Sequence, residues 1–214
     1  MKTTEFVALF LILPTVFYKG RFRVPALPML WLLTAYCLAM FWREGRLGAA
    51  GLAPWMLGQR LPSIIALFLP FGLVTTGLVY RHAPRELFSL VRKRPALWAM
   101  LMVAYSALSV YPQGIVFRAY FFDRYRALFP SAWLMVLMSA LAFAYIHIVF
   151  RNWIAIVLAV LGGVLFALRY AETGSLFVSC FEHALYGCWL FTVGLGRWFF
   201  YEGKFESGVY LSGR

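Results

Sequence analysis

Residues 132–150 read AWLMVLMSALAFAYIHIVF and residues 153–169 read WIAIVLAVLGGVLFALR, two apolar runs separated only by Arg151-Asn152. A bilayer core is crossed by about 20 mostly apolar residues, and a helix satisfies its own backbone hydrogen bonds there. Two such runs joined by two polar residues read as consecutive membrane helices. Working outward, runs of the same character lie at residues 4–18, 24–42, 61–80, 96–118 and 175–200. The connectors are short and carry turn residues: Lys19-Gly20, Pro84, Pro95, Pro130 and Thr173-Gly174. Residues 44–60, with Gly48, Gly51 and Pro54, read as an interfacial segment or loop. The expectation is an all-α polytopic transmembrane helix bundle of about seven or eight spans. It forms a single domain over residues 1–214, with no linker and no internal repeat.

Composition agrees. The chain is 63% hydrophobic and only 13% charged, with a mean hydropathy of +0.78, whereas a soluble domain carries roughly twice that charged fraction. The net charge of +12 comes from Lys and Arg scattered through the short segments between apolar runs, where anionic headgroups favour them. Membrane lipids are the partners this implies, and nucleic acid is excluded. The densest cluster, Arg81, Arg85, Arg92, Lys93 and Arg94, reads as a juxtamembrane topology signal. With seven spans, the basic first, third and fifth loops and the tail put the C-terminus in the cytoplasm. An integral, multi-pass place in a bacterial plasma membrane is expected. Met1-Lys2 and the run to Tyr18 read as an uncleaved first span. Cys37, Cys180 and Cys188 are too few for a disulfide framework and read as packing residues.

Polar side chains inside spans are costly, and they mark candidate functional sites. In Tyr111-Pro112-Gln113-Gly114-Ile115-Val116-Phe117-Arg118, positions 114 and 118 lie one turn apart, and Pro112 frees a backbone carbonyl. Residues 96–128, about 50 Å as one helix, overrun a bilayer core, so this helix bends or projects near Asp123. Ser139, Phe143 and His147 form one stripe of the next span. Glu182 and Tyr186 share one face of the last, and His183 and Gly187 share the adjacent face. Two histidines with a carboxylate suit three chemistries: hydrolysis by activated water, metal binding, or proton relay in a transporter. Zinc ligands would come from His147, His183 and Glu182 or Cys180, and a metal-free site is the preferred reading.

The order of these segments resembles the CAAX-protease and bacteriocin-processing family (CPBP), which includes the type II CAAX prenyl endopeptidases. Its motifs run Glu-Glu-x-x-x-Arg, then Phe-x-x-x-His, then His-x-x-x-Asn. The corresponding stretches are Gln113-Gly114-Ile115-Val116-Phe117-Arg118, Phe143-Ala144-Tyr145-Ile146-His147 and His183-Ala184-Leu185-Tyr186-Gly187, within roughly residues 97–193. One branch of the family reads Pro-Gln-Glu at the first motif and Glu-His-x-x-Tyr-Gly at the third, leaving Gly114 as the departure. The resemblance implies an intramembrane endopeptidase that hydrolyses a peptide or protein substrate in or at the membrane, lipidated or not. His147 and His183 would hold water and the oxyanion, and Arg118 would organise the first-motif helix. Gln113 would add a hydrogen bond, and Glu182, turned toward His147, would be the base. The alternatives are a catalytically inactive binding or immunity protein on the same scaffold and a small proton-coupled transporter.

Overall fold

The computed structural model describes residues 2–20 and 26–196. Among them there is no strand, and eight helices follow one another. α1 covers residues 2–19 and contains a π-helical stretch, Ala8–Ile12. Then come α2 (Ala26–Arg43), α3 (Met56–His82), the short α4 (Ser89–Lys93) and α5 (Pro95–Arg124). α6 (Ala132–Phe150), α7 (Trp153–Thr173) and α8 (Leu176–Val193) complete the series. Six of them, α2, α3, α5, α6, α7 and α8, are long and apolar enough to cross a membrane. The protein is an all-α polytopic membrane bundle. α1 stands outside those six, and Thr15 hydrogen-bonds Tyr145 of α6 at 2.8 Å. The 44–60 segment resolves into a 3-10 turn, Leu47–Ala50, and the start of α3, which begins five residues before its apolar run.

Successive helices alternate in direction. At one end, Arg124 of α5 bonds Glu5 of α1 and Glu44 beyond α2, while Tyr120 and Tyr125 donate to Glu5. At the other, Arg151 donates to the carbonyl of Tyr18, and Trp98 of α5 donates to Thr192 of α8. The Phe6, Phe10, Phe117, Phe121 and Tyr125 rings meet edge to face and hold α1 on α5. α6 and α7 approach closely because Gly163 carries no side chain; a β-carbon there would lie 3.1 Å from the Ala140 backbone.

Caps set the helix starts that matter. Asn152 accepts from the Ile154 amide at α7, and Ser175 accepts from the Val178 amide at α8. The Ser175 hydroxyl also donates to the Leu52 carbonyl, anchoring α8 to the loop before α3. α7 ends at Gly174, whose φ of 61° is the left-handed conformation that lets the chain turn into Ser175. Pro112 does not break α5. Wider π turns, Ser106–Val110 and Ile115–Tyr120, flank it. In the turn before Pro112, the Leu108 carbonyl accepts the Trp31 indole N–H at 3.0 Å. The expected overlength of α5 is real, and its far end is the Arg124–Glu5–Glu44 network rather than a free projection.

Candidate functional site

A cavity of about 650 Å³ lies between α2, α3, α5, α6, α7 and α8, within the usual range for ligand pockets. Its wall is mostly apolar. Leu27, Val74, Leu78, Leu108 and Leu161 line it while remaining exposed. The mouth of the cavity is therefore apolar as well as its wall.

The polar part of the wall comes from α5, α6 and α8. The stripe on α6 behaves as the spacing predicts: Ser139 donates to the Phe117 carbonyl at 2.6 Å and docks α6 on α5. His147 stands where α6 tightens into a 3-10 turn, and its Nδ1–H donates to the Phe143 carbonyl at 2.7 Å. His183 is the eighth residue of α8. One histidine is late in its helix and the other early in a helix running the same way. Phe143 nevertheless joins them, with ring centroids 4.7 Å from His147 and 5.4 Å from His183. Phe166 of α7 stacks on His183 at 4.5 Å. Gln113 faces the same cavity and donates to Ser109 at 2.8 Å.

Arg118 sits behind this wall, 1% exposed. Its guanidinium carbon lies 4.4 Å from the centre of the Phe143 ring and 5.5 Å from that of Phe166. Among the described residues none of its nitrogens has a hydrogen-bond partner. A desolvated cation over a ring gains about 2 kcal/mol, whereas taking the ion from water costs several. The two rings therefore offset only part of the cost.

Glu182 is the sequence-predicted residue that the structure does not bring to the cluster. It is fully buried and accepts from Arg169 of α7, at 2.7 Å from Nε and 3.3 Å from Nη2. It does not line the cavity. Glu182 is drawn to Arg169 of α7, while its neighbours His183, Tyr186 and Gly187 line the cavity. The zinc set fails for the same reason. His147, His183 and Glu182 do not converge, and two imidazoles fall short of the three protein ligands that a catalytic zinc takes.

The two glycines in the motifs are packed, not open. A β-carbon on Gly114 would overlap Sγ of Cys180 and come within 3.0 Å of Leu176. One on Gly187 would overlap the Tyr105 phenol. Tyr105, Phe166 and Arg169 are neighbours of the cluster that no sequence pattern marked. Arg169 was the last residue of its apolar run, where an arginine reads as a snorkelling end. The helix instead continues to Thr173 and keeps Arg169 inside.

The family described as Type II CAAX prenyl endopeptidase Rce1-like matches residues 94–189. That segment is similar to the Rce1-like family. No curated protein and no solved structure matches the chain. The Rce1-like segment runs from the start of α5 into α8, taking in Arg118, His147 and His183 together with both packed glycines. It agrees within a few residues with the motif region read from the sequence.

Proposed function

We propose that the protein binds a membrane-embedded peptide or lipidated chain in this cavity, on the scaffold of an intramembrane peptidase, and holds it without cleaving it. The observation that carries this reading is the cavity wall. It offers Tyr105, Ser109, Gln113, His147, His183 and Tyr186, but among the described residues no carboxylate. A water-activating peptidase of the resembled type uses a carboxylate to take the proton from the attacking water. Position 114 is filled against Cys180 and Leu176, and Glu182 is engaged by Arg169. The apolar walls and mouth suit an acyl or prenyl chain or an apolar peptide arriving from the bilayer. The hydrogen-bonding groups suit the amides of a peptide. A bacterial plasma membrane is the location that goes with this reading.

One observation favours hydrolysis as a second reading. Because His147 Nδ1–H is bonded to the Phe143 carbonyl, the neutral ring carries its lone pair on Nε2. In that reading Nε2 accepts the proton of the attacking water and returns it to the leaving amine, while the water oxygen adds to the scissile carbonyl. The test is to reconstitute the protein in nanodiscs with a palmitoylated hexapeptide carrying a photoreactive diazirine on its acyl chain. Illumination followed by mass spectrometry is expected to find the intact peptide attached to the cavity wall. Shortened peptide that disappears in His147→Ala would establish the second reading, and labelling nowhere in the cavity would refute both.

A further inference from the structure

Tyr105 belongs to none of the motifs and lies on α5, two turns before Gln113. Its hydroxyl oxygen is 3.4 Å from Nε2 of His183, and the two rings are perpendicular with centroids 6.3 Å apart. The phenol fills the space one turn beyond His183 on α8, because a β-carbon on Gly187 would overlap its hydroxyl and ring carbons. A side chain at 187 and a phenol from 105 therefore exclude one another as neighbours of His183. In this chain the phenol has the place. The ring of His183 is held in plane by Phe166, and its other nitrogen, Nδ1, is buried with no partner among the described residues.

Hydrogen-bond counting decides which atom donates. A neutral imidazole carries one N–H and one lone pair. If Nε2–H donated to the phenol oxygen, both the phenol hydrogen and the Nδ1 lone pair would be left unsatisfied. If the phenol donates to Nε2, only Nδ1–H is left over. Each unsatisfied buried group is costly, so the second arrangement is preferred.

We infer that Tyr105 is a positioning residue: it donates to Nε2 and holds His183 in one place on the cavity wall as the Nδ1–H tautomer. The wall it holds in place is the one proposed to meet the bound chain, and this part rests on the cavity being the binding site. The role of Tyr105 toward His183 does not.

The experiment has two arms. Nitrogen-15 NMR of histidine-labelled protein in nanodiscs, with His183 assigned by His183→Gln, reads the tautomer directly. Wild type is expected to carry hydrogen on Nδ1 of His183, and Tyr105→Phe and Gly187→Ala to lose that pattern. His147, bonded to the Phe143 carbonyl, keeps its own pattern as an internal control. An Nε2–H signature in wild type, or no change in Tyr105→Phe, would overturn the inference. In the second arm the photoreactive palmitoyl-peptide is retained about tenfold less by Tyr105→Phe, the loss expected when one buried hydrogen bond fails. Equal retention would overturn the ligand-facing role while leaving the cavity reading intact. No labelling of wild type would defeat the cavity reading, and the nitrogen spectra would still decide the role of Tyr105.

Discussion

Two arginines are buried a few helices apart in opposite circumstances. Arg169 meets Glu182 through two nitrogens and reaches Ser63 of α3 with a third. Arg118 has two aromatic faces and, among the described residues, no acceptor. The first arrangement is a tie between α3, α7 and α8; removing Arg169 strands the buried Glu182, and removing Glu182 leaves Arg169 only the half-exposed Glu172. The second is a cation that, among the described residues, only two rings partly compensate, beside a ligand-sized cavity, and its removal strands no charge. The contrast separates what holds the bundle together from what equips it for a ligand. It also explains why the carboxylate nearest in sequence to His183 is not available to it.

The sharpest way to break this contrast is at the ion pair. Glu182→Leu is expected to cost about 3 kcal/mol, because it removes the buried partner of Arg169 and leaves it only the half-exposed Glu172 at 3.4 Å. Unfolding followed by heat or denaturant in micelles measures this, and Glu182→Leu combined with Arg169→Leu recovers most of the loss. A single-variant cost below about 1 kcal/mol would contradict the structural role. Next in size is Gly114→Glu, which drives a side chain into Cys180 and Leu176. A loss of about 1–3 kcal/mol is expected from overpacking, partly recovered when Cys180→Gly makes room. In that double variant Arg118 gains a carboxylate one turn away, and peptide cleavage measured by product mass is expected there and not in wild type. Arg118→Met sharpens the other half of the contrast. Stability is expected to stay level or rise by about 1 kcal/mol, since a costly unpaired charge is removed, and a clear loss of stability would mean that the cation is part of the frame. The smallest effect belongs to the ion pair of Arg46 with Asp123, whose arginine is half exposed. Arg46→Ala is expected to cost about 0.5 kcal/mol, read from the same unfolding curves.

Much of the architecture was legible because apolar length is a strong signal. The runs at 132–150 and 153–169 became α6 and α7 with boundaries close to those expected. His147, His183, Arg118 and Gln113 were legible as candidates because polar groups in a span stand out. What the sequence could not convey was direction around a helix axis and contact between distant segments. Glu182 and His183 are adjacent in the chain and both meet α7, yet Glu182 is engaged by Arg169 while His183 stacks on Phe166 and lines the cavity. Arg169 itself was hidden by its place at the end of an apolar run. Tyr105 carried no signal at all, since its meaning comes from the absent side chain at 187, a relation made across two helices. Pro112 promised a bend, and the structure answers with π turns and an indole from α2, a partner that no local pattern marks.

The central claim is that the cavity binds a membrane-embedded chain and, among the described residues, lacks the carboxylate needed to cut it. The most direct measurement compares protein termini by mass spectrometry across matched membranes expressing wild type and His183→Ala, both folded and at equal abundance. The account predicts identical sets of termini. New termini in wild type that vanish in His183→Ala would contradict it and make the protein a working intramembrane peptidase without a cavity carboxylate.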